Sequence, residues 1–566
     1  MPYKRPLTEA ELEEVANASS EDDFTQENLS EEEDHISDGD SRFENSDSEA
    51  EEPEEPETPV PDVQGIPSKN RDVTWFSKYN HTRKLSAANV ITSTPGPTRF
   101  AISRASDILS TFLLFLNVTI TDMIIKMSNI EGKNIYGANW DPIDTATLHA
   151  YIGLLLLAGV YKSYGESCRS LWAAHSGRHI FRATMSVERF YNISSVLRFD
   201  DKKDRSQRRA VDKLAPIRDL WNKWVEILPT LFNVGECVTV DEQLVGFKGR
   251  CPFRQYLPSK PARYGIKIWT LCDSKSSYVY NAQVYTGRIP GEGPTKNLAL
   301  KVVLDLTYGL QGQKVTCDNF FTSYNLAQLL LKRKLTMLGT VRKNKPELPV
   351  GILAKREVFS STFYFSNETS IVSYVPKNNK QVILMSTMHH DDNISGRPDK
   401  KPEMILSYNA TKGAVDTLDQ ALSTYTCKRK TNRWPMIMFY NIIDVSAYNL
   451  FVLWSDIDPN WNKKRLHKRR LLLEELGMSL IQPYLEARKY QPRCEEALAI
   501  MQATQQHAQE ETNPTPSTSS TPSTKRRRCG LCPSSNDNKT NLTCINCKKY
   551  ICKAHTCYYC IHCSKH

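Results

Sequence analysis

Apolar residues along this chain follow different rhythms, and the changes of rhythm divide it. From about residue 75 to 236 they recur at helical spacing, with Trp221 and Trp224 one turn apart in DLWNKWVEIL. The unbroken run Ile152 to Val160 in that segment reads as a buried helix. Between 237 and 341 the period shortens. CVTVD, YGIKIWTLC, YVYNAQVY and KVTCD read as strands, and NLAQLLLKRK after the last of them as a helix. Strands followed by helices predict a mixed α/β layer fold. From 342 to 405 the pattern is β-rich and loop-rich (FSSTFYFSNETSIVSYV, QVILMSTM) and is expected to form an insertion, after which 406–455 returns to complete the core. A basic helical stretch at 456–500, a Gln/Thr/Pro/Ser-rich linker at 501–528 and a cysteine-rich tail at 529–566 follow.

Charge sharpens the division. Residues 1–70 form an acidic arm whose first 60 positions hold 22 Asp and Glu against three Lys and Arg, a composition expected to stay disordered. The arm's −19 masks +28 on the rest of a chain whose total is only +9. So basic a remainder suits a polyanion, nucleic acid first. The acidic start lacks the apolar run of a secretory signal, and the run at 152–160 falls short of the about 20 residues a membrane span needs. A soluble, intracellular chain with no membrane partner is expected. Of the 15 cysteines eight crowd into the last 38 residues, and seven are scattered singly as reduced thiols would be.

Three aspartates carry the candidate chemistry. Asp241 follows the strand run CVTV, Asp318 follows KVTC, and Asp416 opens the helix-like VDTLDQ. Acids on two strands and a later helix are what a divalent-metal phosphoryl-transfer site requires, since paired ions hold both the attacking and the leaving oxygen. A site of carboxylates without histidine suits Mg²⁺, which prefers hard oxygen ligands. Asp419 lies one turn from Asp416 and is either a further ligand or a solvated helix acid. Glu242 points to the opposite strand face and is read as structural, Asn319 as a turn residue, and His389 and His390 as surface or loop histidines. A Gly-rich phosphate loop with its lysine and a nucleophile elbow are both missing, which argues against the commonest alternative enzymes.

Bases cluster beside each acid: Lys248, Arg250, Lys260, Arg263 and Lys267; Arg342, Lys343 and Lys345; Lys428, Arg429, Lys430, Arg433 and Trp434. Cations lining the approach would position a phosphodiester without reading its sequence. Trp434 would either stack on an unpaired base or sit in the core. The tail reads Cys529-x2-Cys532, x11, Cys544-x2-Cys547, x4, Cys552-x2-His555, x4, Cys560-x2-Cys563. That spacing predicts two tetrahedral Zn²⁺ sites, with metal binding supplying the folding free energy a segment this short lacks. Basic runs at Lys463–Arg470 and Lys525–Arg528 read as nuclear-localisation signals or phosphate-binding arms, giving a nuclear expectation.

Long stretches around these residues resemble the piggyBac family of DNA transposases. They are TVDEQLVGFKGRCPFRQYLPSKPARYGIKIWTLCDS from Thr239, VTCDNFFTSYNLAQLLL from Val315, GTVRKNKPELP from Gly339 and TKGAVDTLDQALSTYTCKRKTNRWP from Thr411. The likeness runs from about residue 75 to 455 and resumes in the terminal cysteines. It implies a ribonuclease H-like core in which Asp241, Asp318 and Asp416 hold two Mg²⁺ ions. It also implies cut-and-paste excision and integration through hairpin ends at TTAA sites, by hydrolysis and then attack of a 3′-hydroxyl. Residues matching Arg342, Lys345 and RKTNRWP would lie near DNA. In the tail, a cross-brace would put Cys529, Cys532, Cys552 and His555 on one ion and Cys544, Cys547, Cys560 and Cys563 on the other, although Cys557, His562 and His566 keep the pairing open. Such tails bind the terminal inverted repeats of double-stranded transposon DNA, and holding two ends together calls for at least a homodimer. The alternatives are a host-captured DNA-binding protein without mobilising activity and a zinc-finger chromatin or ubiquitin adaptor.

Overall fold

The computed structural model describes residues 65–79, 91, 93–258, 260–287, 297–512, 527–533, 535–536, 538–543 and 549–555. Most of the acidic arm lies outside them. Two compact units divide the chain, Met1–Thr504 and Gln505–His566.

Helices open the first unit: α1 (Ile108–Phe115), α2 (Val118–Tyr136), α3 (Thr145–Val160), α4 (Val187–Val196) and α5 (Arg218–Leu231). The first four start where Asp107, Asn117, Asp144 and Ser186 accept a backbone N–H three residues on, meeting one of the orphan donors of each helix. Trp221, Trp224 and Leu228 of α5 face inward and are buried.

A nine-stranded mixed sheet follows: β1 (Cys237–Gly246), β2 (Arg254–Tyr256), β3 (Tyr264–Asp273), β4 (Val279–Val284), β5 (Lys314–Cys317), β6 (Thr336–Thr340), β7 (Ser361–Phe365), β8 (Ser370–Lys377) and β9 (Lys380–Ser386). Its order is β7-β8-β9-β6-β5-β1-β3-β2, with β4 also on β3. β1, β5 and β6 are parallel, and every other pairing is antiparallel. Parallel neighbours need a crossover, which α6 (Leu298–Leu306) precedes for β5 and α7 (Tyr324–Lys332) supplies between β5 and β6. The segment 342–405, expected to form an insertion, extends this sheet, because β9 pairs with β6. At the far edge Phe76 and Phe365 exchange backbone hydrogen bonds of 2.7 and 2.8 Å, which covers otherwise open strand donors.

Short helices such as His179–Thr184 fill in between the longer ones before the sheet, and after it come α8 (Glu403–Thr411), α9 (Ala414–Thr424), α10 (Trp434–Ile457), α11 (Lys468–Ala487) and α12 (Glu495–Thr512). The last runs into what the sequence suggested was linker. α10 is the one unbroken helix among the described residues long and apolar enough to cross a membrane, yet 83% of its apolar window is buried inside the protein. Sequence reading passed over it because Asn441, Asp444, Ser446 and Asn449 interrupt the apolar run. Each is spoken for: Asn449 pairs both ways with the Val279 backbone at 2.9 Å, and Ser446 accepts the Trp224 Nε1–H at 2.9 Å. Asn441 donates to Gln243, and Asp444 accepts from Thr426 and Cys427.

α3 and α11 cross at Gly153 and Gly477, where a side chain on Gly153 would come within 2.7 Å of the Gly477 carbonyl and 2.8 Å of Ile481. Gly153→Ala is therefore expected to destabilise the first unit by about 1–3 kcal/mol through overpacking, measured as a lowered urea midpoint.

Candidate active site

β5 stops at Cys317, which pairs with Val240 in parallel register, while β1 runs on to Gly246. Asp241 and Asp318 are therefore neighbours one step past the last rung, on strands about 4.8 Å apart. Two threonines on the preceding rung bring the third acid to them. Thr239 Oγ1 donates to the Thr411 carbonyl at 2.6 Å, and Thr316 Oγ1 lies 2.8 Å from Thr411 Oγ1. That grip fixes the end of α8, and α9 starts three residues later with Asp416 in its first turn. Gln243 Nε2 then donates to Asp419 Oδ1 at 2.8 Å, tying α9 to β1 a second time.

All four aspartates line one cleft of about 2340 Å³. Burial, with the charge of Asp318 adding to it, pushes the Asp241 carboxyl well above its usual range, and Lys260 pulls the other way. Burial raises Asp419 to about 6 although Gln243 and Lys260 favour its charged form. Asp419 is thus a half-buried acid fastened to a strand rather than a freely solvated one. Lys260 Nζ lies 3.3 Å from Asp416 Oδ1 and 3.1 Å from the Glu242 carbonyl. Burial draws its pKa down, but Asp241, Asp416 and Asp419 outweigh that and hold it above the usual lysine value. Glu242 turns to the other face and pairs with Lys267 at 3.2 Å.

The donor set facing the cleft is carboxylate oxygen, the chemistry of a hard divalent cation. Among the described residues Asp241, Asp318 and Asp416 are not drawn into a tight three-donor group. Asp241 and Asp318, adjacent in register, are the pair placed to share an ion.

Several basic residues predicted at a DNA surface are elsewhere. Arg433 is buried and donates to the carbonyls of Ser194 (2.9 Å), Ser195 (3.3 Å) and Leu197, so it caps the C-terminal end of α4, where a cation is favoured. Arg429 is buried on the carbonyls of Ser163 and Glu166, both at 2.7 Å. Lys267 is buried beside Glu242. Trp434 packs edge-to-face on Phe253, with ring centroids 5.0 Å apart, as a core-side residue. Arg433, Arg429 and Lys267 are corrected from DNA contacts to structural positions, while Trp434 is half-buried. Lys260, Arg342, Lys343 and Lys428 do line the cleft, with Lys428 reaching the Gly246 carbonyl; Arg250, Arg263 and Lys430 are exposed and Lys345 is half-buried. Sequence reading missed Lys377, Lys380 and Lys412, which also line it. Lys377 and Lys380 sit on the hairpin turn Lys377-Asn378-Asn379-Lys380 between β8 and β9, and Lys412 between α8 and α9.

In the second unit Cys529, Cys532, Cys552 and His555 gather with every donor atom within 4.8 Å of the others. Cys532 Sγ is 3.7 Å from Cys552 Sγ and 3.8 Å from His555 Nδ1, and Cys529 Sγ is 3.6 Å from that nitrogen. Such edges match a tetrahedron with metal–ligand bonds of about 2.0–2.3 Å, and the sulfur separation is far beyond a disulfide. Cys544, Cys547, Cys560 and Cys563, with the spare Cys557, lie outside the described residues. A further trio, His179, Cys494 and Glu496, sits at the starts of two helices with Arg182 acting on it, where both fields oppose a cation.

Arg433→Lys is expected to lower stability by about 2–4 kcal/mol, since donors radiating from one nitrogen cannot span the carbonyls that the two guanidinium nitrogens reach, and to leave the salt dependence of DNA affinity unchanged. Lys377→Ala, at an exposed position lining the cleft, should do the reverse, keeping the unfolding midpoint and reducing the slope of log K against log salt by about 1. Urea unfolding and fluorescence anisotropy at graded salt separate the two; exchanged outcomes would return Arg433 to the DNA surface.

Comparison with known proteins fits this arrangement. The family model described as transposase IS4 matches residues 109–451. PiggyBac transposable element-derived protein 3 of Homo sapiens is 26% identical over 365 residues, which cover 60% of each chain. PiggyBac transposable element-derived protein 2 of Homo sapiens is 24% identical over 335 residues, covering 54% of this chain and 55% of that protein. The chain thus spans about 60% or less of the length of these curated relatives. A cryo-EM structure of the piggyBac transposase synaptic complex with hairpin DNA superposes with a TM-score of 0.68 at 35% identity, covering 83% of this chain and all of that one. By sequence and by fold, this chain belongs to the piggyBac family of transposases.

Proposed function

We propose that the protein is a cut-and-paste DNA transposase with a ribonuclease H-like catalytic core, cleaving and joining strands at element ends and TTAA targets. The observation that carries this reading is the convergence of Asp241, Asp318 and Asp416 from two register-matched strands and one helix on a single cleft with lysine- and arginine-bearing walls. Paired Mg²⁺ ions, when bound, would stabilise the attacking and leaving oxygens of a phosphodiester. Asp241, Asp318 and Asp416 would hold them, with Asp419 steadying α9 from behind. Lys377, Lys380 and Arg342 would seat the DNA backbone across the mouth. In the first step water adds to phosphorus and the 3′-oxygen leaves; in the second the freed 3′-hydroxyl attacks another phosphodiester and displaces that strand's 3′-oxygen as a new hydroxyl. A homodimer or larger assembly would hold two double-stranded ends, and the basic runs would direct the chain to the nucleus. A second reading, a DNA-binding protein without mobilising activity, is favoured by the likeness to human proteins described as element-derived.

Strand cleavage of an end-bearing duplex with Mg²⁺ separates these readings. Wild type should cut and Asp318→Asn should lose at least about a hundredfold in rate. Cutting that survives the substitution refutes the assignment, and none in either protein favours the binding reading.

For the tail we propose Zn²⁺, one ion on Cys529, Cys532, Cys552 and His555 and a second on Cys544, Cys547, Cys560 and Cys563. Metal analysis of the full chain should find about two zincs, and chelation should collapse the dispersed amide resonances of the Cys529, Cys532, Cys552 and His555 segments while leaving the urea midpoint of the first unit in place. A zinc-free tail that keeps its dispersion would overturn this.

A further inference from the structure

Among the cations that line the cleft, Lys260 is the one the structure shows salt-bridged to Asp416. It comes from the turn between β2 and β3, where Leu257 N–H donates to the Arg263 carbonyl at 2.7 Å and Lys260 N–H to the Leu257 carbonyl at 3.1 Å. Pro258 and Pro261 stiffen that turn, and Arg263 closes it with a left-handed φ of 52°. The turn aims Lys260 inward, leaving its side chain 18% exposed, whereas Arg263 from the same loop faces solvent. Two of its ammonium donors point at Asp416 Oδ1 and the Glu242 carbonyl. Glu242 already has Lys267 as its partner, so Lys260 is left as counter-charge for the aspartates.

We propose that Lys260 is a positioning residue that holds Asp416 by an ammonium bridge until a divalent cation binds, and then moves to the phosphate of the DNA. This rests on the reading of the cleft as a metal site. An ammonium 3.3 Å from a ligand oxygen competes with any ion that must use the same oxygen. Cation entry therefore pushes the lysine off Asp416. On its long, flexible stem the displaced charge swings towards the polyanion that the cleft admits. Metal binding and phosphate engagement thereby become one coupled event.

The test titrates Mn²⁺, a probe for hard divalent sites, into the full zinc-loaded chain without DNA and follows binding by calorimetry. Lys260→Met and Lys260→Gln should bind Mn²⁺ about tenfold more tightly than wild type. Lys260→Arg, which keeps the charge, should match wild type. DNA affinity against salt gives the second reading. With Mn²⁺ present the wild-type slope should be steeper by about 0.9 than without it, and Lys260→Met should show no such metal-linked difference. Equal Mn²⁺ affinity in wild type and both neutral variants overturns the proposal, and so does a Lys260→Met slope that is lower by the same amount with and without metal. If wild type binds Mn²⁺ and Asp318→Asn does not, such a failure leaves the metal-site reading intact. If wild type takes up no Mn²⁺, both fall together.

Discussion

The difference in length between two parallel strands is the constraint on which this site depends. β5 ends at Cys317, β1 continues, and the step between them leaves Asp241 and Asp318 side by side with no further rung beyond. Adjacent carboxylates in a cleft repel and are costly to desolvate, and the raised proton affinity of Asp241 is that cost made visible. Only a framework that tolerates the strain could hold them there. The supply is local: Thr239 and Thr316, one rung back on each strand, both reach Thr411, so the carboxylate pair and the start of α9 are placed by the same two hydroxyls.

Behind that framework stands α10, a helix apolar enough to be mistaken for a membrane span. Its polar residues lock it to the rest. Asn449 reads the backbone of β4, Ser446 holds Trp224 of α5, and Asp444 anchors the segment 426–428 that delivers Lys428 to the cleft. Buried polar groups satisfied in this way specify one register of helix against sheet where apolar packing alone would permit several. The basic strap before α10 does similar work, with Arg429 and Arg433 bonding carbonyls in the loop after α3 and at the end of α4.

The acids were legible in the sequence because each stands at the edge of an apolar run whose period is plain. Local spacing also carried the four-donor cluster of the tail. The fates of the bases were not legible. Arg429 and Lys430 are adjacent in sequence, yet one is buried on carbonyls and the other faces solvent. Lys267 lies in a strand buried almost throughout, so alternation gave no hint of which face it took. Lys377 and Lys380 were invisible for a topological reason: nothing in the 342–405 pattern announced that β9 would pair with β6 and carry the hairpin beside the cleft.

Proximity in sequence to a catalytic acid is therefore poor evidence that a cation meets the substrate. What decides is whether its donors are already engaged by the chain's own oxygens. Arg433 gives its guanidinium to three carbonyls, and a phosphate would have to displace all of them. Lys260 stands between the extremes, since one of its partners is a carboxylate that a cation would claim. A bond of that kind is conditional, held in one ionic state of the site and released in another. A lysine suits it better than an arginine, because a point charge on a flexible stem gives up one oxygen for another with little loss of geometry.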